Sequence, residues 1–475
     1  MTSAMRAAEG RTEVQRTVTP VDGSVYVERP LSGPDEIARA AGRAQAAQAE
    51  WRRRSVEERA ALMSAFVDAF VAGREKIAQE ITWQMGRPVR YTPGEVRGFE
   101  ERARHMIATA PQALADIAPA PKPGFRRFIR RDPVGVVLVI APWNYPYLTA
   151  VNAVVPALMA GNAVLLKHSH QTPLCAERMA EAAQAAGLAD GLLQAVHMSQ
   201  ATTAEAIRRL GVDHVAFTGS VSGGAAVEAA AAGRFIGVGL ELGGKDPAYV
   251  RPDADLAFAV ENLVDGAFFN SGQSCCGIER IYVHERLYDD FLDRAATLTR
   301  AYVLGDPTDP ATTLGPMVRT SAAEFVRGQV AEATARGARA LIDEAAFERS
   351  RPGTPYLAPQ ILAGVDHSMR VMREETFGPV VGVMKVSSDA EAIRLMNDSE
   401  YGLTASIWTT DPEAATAIGG ELATGTVFMN RCDYLDPALA WTGVKNSGRG
   451  ATLSVMGYEY LTRPKSFHLR VETGE

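Results

Sequence analysis

Apolar residues recur along this chain at two spacings, and the switch between them marks out its parts. Leu62, Phe66, Val67 and Phe70 lie three and four apart behind a Ser55/Glu58 capping box, which predicts an amphipathic helix in a region where helix signals begin at Pro34. A second helix is expected from Gly94 to Thr109, with Pro111, Pro119, Pro121 and Pro123 breaking regular structure after it. Residues 1 to about 32 show neither spacing and read as a loose arm. Arg126, Arg127, Arg130 and Arg131 interleave with Phe125, Phe128 and Ile129, the pattern of an exposed strand at a sheet edge rather than of a polyanion site.

From Val134 the pattern changes to short β-branched runs. VGVVLVI, AVLL, LQAVH, HVAF and FIGV alternate with helical stretches, and a second series (AYV, RIYVH, PVVGVMKV, TVFM) begins near Asp246. Such alternation predicts parallel sheets flanked by helices, arranged as two α/β domains. Val134 to Leu166 is uncharged and long enough to span a bilayer. Its three prolines, its glycines and its three asparagines instead predict strand, loop, helix, turn and strand, so no membrane role is expected.

Composition narrows the function. A chain of 475 residues, 47% hydrophobic and 22% charged, suits two or three globular units and excludes coiled coil, collagen and disorder. A net charge of −7 argues against nucleic acid as a partner. Four cysteines, two of them adjacent, are too few to staple such a fold and point to a reducing, cytoplasmic setting; no signal peptide is readable in the first twenty residues. The eight histidines are scattered, and no metal site is expected.

Several short segments carry chemistry-bearing residues. In FFNSGQSCCGIER, Gly272 allows a tight turn ahead of Cys275 and Cys276; both read as small core residues or as one exposed thiol, and the polar neighbours favour the thiol. In GLELGGKDP, Glu241 stands between leucines, where desolvation raises a carboxyl pKa toward that of a usable base, although a strand-end glutamate is usually paired with a basic residue. FTGSVSGG places Gly219, Ser220 and Gly224 after a strand and before a helix, a turn suited to a pyrophosphate. Asn144, between two prolines in VIAPWNYP, is either a turn residue or an oxyanion donor. Lys167 follows the strand AVLL, within reach of a ribose or phosphate.

Taken in order, APWNYP, the lysine of LLKHSHQTP, FTGSVSGG, ELGGK and NSGQSC with Arg280 five residues later resemble the NAD(P)-dependent aldehyde dehydrogenase superfamily. EETFGPV and GVKNSGRG add to a similarity that runs from about Pro34 to His468. The resemblance implies an α/β aldehyde dehydrogenase-like fold: a Rossmann-like cofactor domain (1–111 and 133–241), a catalytic domain (242–442) and a bridging, oligomerising β-sheet (112–132 and 455–475). It implies that Cys275 is the nucleophile, that Asn144 and the Cys275 amide form an oxyanion hole, and that Glu241 activates the thiol or the hydrolytic water. For the cofactor it implies Ile140, Trp143, Lys167, His170, Gly219, Ser220, Gly224, Leu242, Gly243, Glu375 and Phe377. A small aldehyde would be oxidised to its acid, in a homodimer or homotetramer.

Two departures from that pattern matter. His170 stands where many NAD-preferring members have a glutamate, so use of both NAD and NADP is expected. AWTG replaces a common PFGG after the loop NRCDYLDPAL, giving Tyr147, Phe269, Tyr434, Leu435 and Trp441 as pocket candidates. Asp433 and Asp436 either favour an amino-aldehyde or face solvent and cap a turn. Competing readings are a semialdehyde-specific relative, a coenzyme-A-acylating relative, against which Glu241 argues, and a catalytically silent binding protein.

Overall fold

The computed structural model describes residues 13–472, so the first twelve residues of the expected arm lie outside it. The rest of that arm is a β-hairpin, Val14–Val18 with Val25–Pro30. Asp22 and Gly23 make its turn, with the Ser24 N–H donating to Asp22 Oδ1 at 2.9 Å and Gly23 at φ 79°. The hairpin is tied down from a distance, since the Thr17 hydroxyl donates to the His170 carbonyl at 2.6 Å.

Four helices follow: Pro34–Trp51, Val56–Ala72, Arg74–Met85 and Pro93–Ala113. Ser55 and Glu58 cap the second reciprocally, at 3.1 and 2.7 Å. The fourth runs past the expected stop at Thr109. Pro111 sits in its last turn, where little helix remains to be disrupted, while Phe99, Ala103, Met106 and Ala110 keep burying one face.

Two large sheets organise the remainder. The first has six strands in the order Gly448–Arg449, Gly237–Glu241, His214–Thr218, Val136–Ala141, Ala163–His168 and Leu193–Ala195. All run parallel except Gly448–Arg449, a late segment that returns to pair antiparallel with the strand ending at Glu241. The chain order reverses between Val136–Ala141 and His214–Thr218, and a doubly wound sheet opens a crevice beyond the carboxyl ends of its strands at such a point. Between Ala141 and Ala163, helix Pro146–Met159 is buried along nearly its whole length. The strand, loop, helix, turn and strand expected across Val134–Leu166 are all present.

The second sheet has seven strands, ordered Arg339–Ala340, Gln360–Ala363, Val380–Val386, Ile278–His284, Asp246–Val250, Thr404–Trp408 and Thr426–Met429. Its two faces are covered by separate apolar clusters, one around Tyr249, Leu362 and Ile407 and the other around Val283, Phe291 and Val383. The basic strand, Phe125–Pro133, pairs antiparallel with Thr462–Arg470 in a ribbon of its own, with Phe128 and Phe467 stacked 4.4 Å apart. Among the described residues no helix is long and apolar enough to cross a membrane, and no group of three or more His, Cys, Asp or Glu side chains is arranged to hold a metal ion.

Candidate active site

The crevice at the switch point is a cleft of about 420 Å³ between the two sheets, a size typical of small-molecule sites. Asn144, Glu241 and Cys275 all line it, together with Trp143, Gly219, Ser220, Leu242, Gly243, Glu375 and Phe377.

Cys275 reaches the cleft from an unusual turn. Asn270, Ser271 and Gly272 have φ of 54°, 57° and 68°, three successive left-handed residues ahead of the buried strand Ile278–His284. Only glycine fits at 272, because a Cβ there would collide with the Gly378 carbonyl. Side chains hold the turn: Ser271 donates to the Gly315 carbonyl at 2.8 Å, and Gln273 Oε1 accepts the Val318 N–H at 2.8 Å. Cys275 is partly exposed, whereas Cys276 is buried.

Asn144 follows the strand Val136–Ala141 and is buried; its Nδ2 donates to the Gln273 carbonyl at 3.2 Å, two residues before Cys275. Its own carbonyl accepts from Arg87 and from Asn270 Nδ2. Arg87 also donates to Asn270 Oδ1 at 3.0 Å and pairs with Glu95 at 2.5 Å, while Glu95 Oε1 accepts the N–H groups of Tyr147 and Leu148 at 2.9 and 3.0 Å. A buried ion pair therefore fixes the loop holding Asn144 to the turn holding Cys275. Arg87 and Glu95 escape a motif reading, although Asn270 falls within NSGQSC; the one local signal is a charged residue between Gly86, left-handed at φ 86°, and Pro88.

Glu241 ends its strand with both oxygens engaged, Oε2 accepting from Thr218 at 3.1 Å and Oε1 from Thr452 at 2.5 Å. Burial pushes its pKa up, and those two hydroxyls and the Arg102 charge only partly offset the rise. Thr452 comes from the late segment that re-joins the first sheet, so the far end of the chain helps shape this carboxylate.

Across the cleft, Glu375 Oε1 accepts the Gly244 N–H at 3.0 Å, and burial raises its pKa to about 7. Gly243 must lack a side chain, since a Cβ would strike the Glu375 carboxylate. Lys245 and Glu279, an ion pair of 2.6 Å, position this wall: Glu279 accepts the N–H groups of Thr376 and Phe377, each at 2.8 Å. Trp143 and Phe377 meet edge to face at 5.6 Å. Arg280 is buried and donates to the Lys245, Leu395 and Met396 carbonyls, a structural tie.

The other cofactor candidates are spread more widely. Ser220 caps helix Val221–Ala231 by accepting the Gly223 N–H at 3.1 Å. Gly224 is buried away from the cleft and lets the helix approach Leu242, whose Cδ2 would be 2.8 Å from an added Cβ. Ile140 is buried within its strand, beside Lys167 in register. Lys167 is directed at the His168 carbonyl, 3.4 Å away. His170 lines an adjoining cavity of about 670 Å³ that shares Arg319 and Ser321 with the cleft. Burial, then the charges of Lys167 and Arg319, lower its pKa.

The aromatic pocket read from sequence does not assemble. Tyr147 is fully buried against Phe70 and Phe99, and Trp441 is buried in the core on the short strand Trp441–Thr442. Phe269 packs on Tyr91 at 5.2 Å, Tyr434 donates to Glu101 at 2.9 Å, and Leu435 packs against the apolar cluster of the first sheet and its helices; none of the five lines the cleft. Tyr147 and Trp441 are apolar enough to be taken by the core first, which residue type alone does not reveal.

With this geometry in place, comparison with known proteins gives a consistent answer. The model of the aldehyde dehydrogenase family matches residues 6–467. The chain is 36% identical to the 3,6-anhydro-alpha-L-galactose dehydrogenase of Streptomyces coelicolor, covering 95% of this chain and 92% of that protein. It is 34% identical to an NADP(+) succinate-semialdehyde dehydrogenase of Mycobacterium tuberculosis, covering 93% and 96%. A solved NAD-dependent aldehyde dehydrogenase from Sinorhizobium meliloti superposes with a TM-score of 0.93 at 32% identity, over 98% of this chain and 92% of that one. This chain belongs to the aldehyde dehydrogenase family, and is an oxidoreductase acting on aldehydes.

Proposed function

We propose that the chain oxidises a small aldehyde to the carboxylic acid, with NAD or NADP as acceptor, through a thiohemiacetal and then a thioester on Cys275. The observation that carries this reading is the meeting of Cys275, Asn144 and Glu241 in one cleft whose opposite wall holds Glu375 and Phe377. The cleft fits a nicotinamide dinucleotide: at the start of helix Val221–Ala231 the Val221 and Ser222 N–H groups have no acceptor among the described residues and can face a pyrophosphate, and the side-chain-free Gly243 leaves Glu375 room to receive a ribose hydroxyl.

Glu241, with its raised pKa, takes the proton of the Cys275 thiol, and the thiolate adds to the aldehyde carbon. The oxyanion receives the second N–H of Asn144 Nδ2 and the Cys275 backbone N–H; the first is held by the Gln273 carbonyl. A nicotinamide dinucleotide held in the cleft would supply the acceptor for the hydride that the adduct must lose to become a thioester. Glu241, having passed the thiol proton to solvent, then takes a proton from a water; the resulting hydroxide attacks the thioester, the Cys275 thiolate leaves, and the acid is freed.

A carboxylate poised beside the nucleophile supports hydrolysis over transfer to coenzyme A. Product analysis with and without coenzyme A tests this: free acid in both cases agrees with the proposal, and an acyl-coenzyme A product refutes it. Four free cysteines suit a reducing compartment such as the cytoplasm. The ribbon of Phe125–Pro133 with Thr462–Arg470, exposed along most of the second strand, suits pairing with other copies in a homo-oligomer.

A further inference from the structure

Next to Cys275 lies a polar cluster that the oxidation proposed above does not use. Asp433 belongs to the loop between strands Thr426–Met429 and Trp441–Thr442 and has a left-handed backbone, φ 52°. Its Oδ1 accepts from the Ser274 hydroxyl at 3.2 Å and from the Cys276 thiol at 3.1 Å. The carboxyl is thus pinned to the residues on either side of Cys275. Its other oxygen, Oδ2, has no protein donor among the described residues, and neither is it sealed from solvent.

A second group points the same way. The Tyr145 hydroxyl, one residue beyond Asn144, is buried without a hydrogen-bond partner among the described residues. Asp433, Arg87, Cys276 and Ser274 are its electrostatic neighbours. Beside the nucleophile, then, stand a carboxylate oxygen and a phenol oxygen that both lack a donor. Asp265, exposed on helix Leu256–Phe268, adds negative charge, whereas Arg87, stacked 4.5 Å from the Tyr145 ring centre, is paired with Glu95, and Arg431 lies over the Tyr434 ring, 3.7 Å from its centre. Asp436, by contrast, caps its own turn through the Ala438 N–H.

We propose that Asp433 and Tyr145 form a subsite that selects aldehydes bearing a primary ammonium group over aldehydes bearing a carboxylate. This rests on the oxidation proposed above and adds its substrate class. An ammonium offers three donors, enough to satisfy Asp433 Oδ2 and Tyr145 Oη together, while a substrate carboxylate would meet Asp433 and Asp265 with like charge.

The test compares kcat/KM for 3-aminopropanal, butanal and succinic semialdehyde in the parent, Asp433→Asn and Tyr145→Phe proteins. The parent should favour the amino-aldehyde over the semialdehyde by about tenfold or more, the worth of a charge-assisted hydrogen bond. Asp433→Asn should lose about tenfold on 3-aminopropanal, mainly through KM, change little on butanal and improve on the semialdehyde. Tyr145→Phe should lose less, on the amino-aldehyde alone. Equal losses on all three substrates, or a parent preference for the semialdehyde, would overturn the subsite. Binding of 3-amino-1-propanol, read by thermal shift, separates the two claims. A shift lost in Asp433→Asn supports the subsite even if no aldehyde turns over, a result that would sink the oxidation alone; no shift in the parent protein counts against the subsite.

Discussion

Arg87 and Glu95 form an ion pair 2.5 Å long with both side chains almost wholly removed from solvent. Through Arg87 the pair grips the Asn144 carbonyl and the Asn270 side chain; through Glu95 it caps the helix that starts at Pro146. Breaking it by Glu95→Gln leaves the Arg87 charge uncompensated, at a cost of about 3–5 kcal/mol. Denaturant unfolding should show that loss, and kcat should fall with it because Asn144 shifts relative to Cys275. Unchanged stability would mean that Arg87 finds another partner.

Gly272 is the second structural pivot of the nucleophile turn. Gly272→Ala places a Cβ against the Gly378 carbonyl at a φ of 68°, and strain of this kind costs about 1–3 kcal/mol. The expected result is a lower melting temperature and a kcat reduced more than KM is raised, since the change moves Cys275 rather than the cofactor wall.

Glu241 accepts protons only when ionised, and burial raises its pKa. The rate should therefore fall as pH drops, and the fall should begin at a higher pH than the value of about 4.3 for an exposed glutamate would set. Glu241→Gln should remove that limb and lower steady-state kcat by about 10² to 10⁴. A variant with the parental pH profile would assign the limb to another group.

Much of this site was legible in the chain because its chemistry sits on short contiguous segments. Asn144 follows a strand and Pro142, Glu241 ends a strand just before two glycines, and Cys275 follows the Gly272 turn ahead of a strand; such turns leave local marks. Five of the six strands of the first sheet were legible too, as short apolar runs, while the edge strand Gly448–Arg449 has no such run. Arg87 and Glu95 were not, because a buried ion pair owes its meaning to partners far along the chain. Gln360–Ala363 and Thr404–Trp408 are short strands without a distinctive run, and the hairpin at Val14–Pro30 is held partly by His170 across 153 residues. Asp433 shows the same limit: the solvated turn that its neighbourhood suggests is true of Asp436, while tertiary packing turns Asp433 inward.

His170 sits by Lys167 and Arg319, and among the described residues that line its cavity the one carboxylate is Asp22, in the turn of the Val14–Pro30 hairpin. Both dinucleotides should therefore be used, with specificity constants differing by less than about a thousandfold, or about 4 kcal/mol. His170→Glu should shift the ratio toward NAD by accepting a ribose hydroxyl and opposing the 2′-phosphate. A parent ratio beyond that bound contradicts the dual use.

The most direct test of the covalent chemistry is mass spectrometry of the Glu241→Gln protein after incubation with an aldehyde and oxidised dinucleotide. At a pH high enough to ionise the thiol without Glu241, the account predicts one acyl group on the peptide containing Cys275, and none when Cys275→Ala is added. An acyl group on another residue, or parental turnover by Cys275→Ala alone, would contradict it.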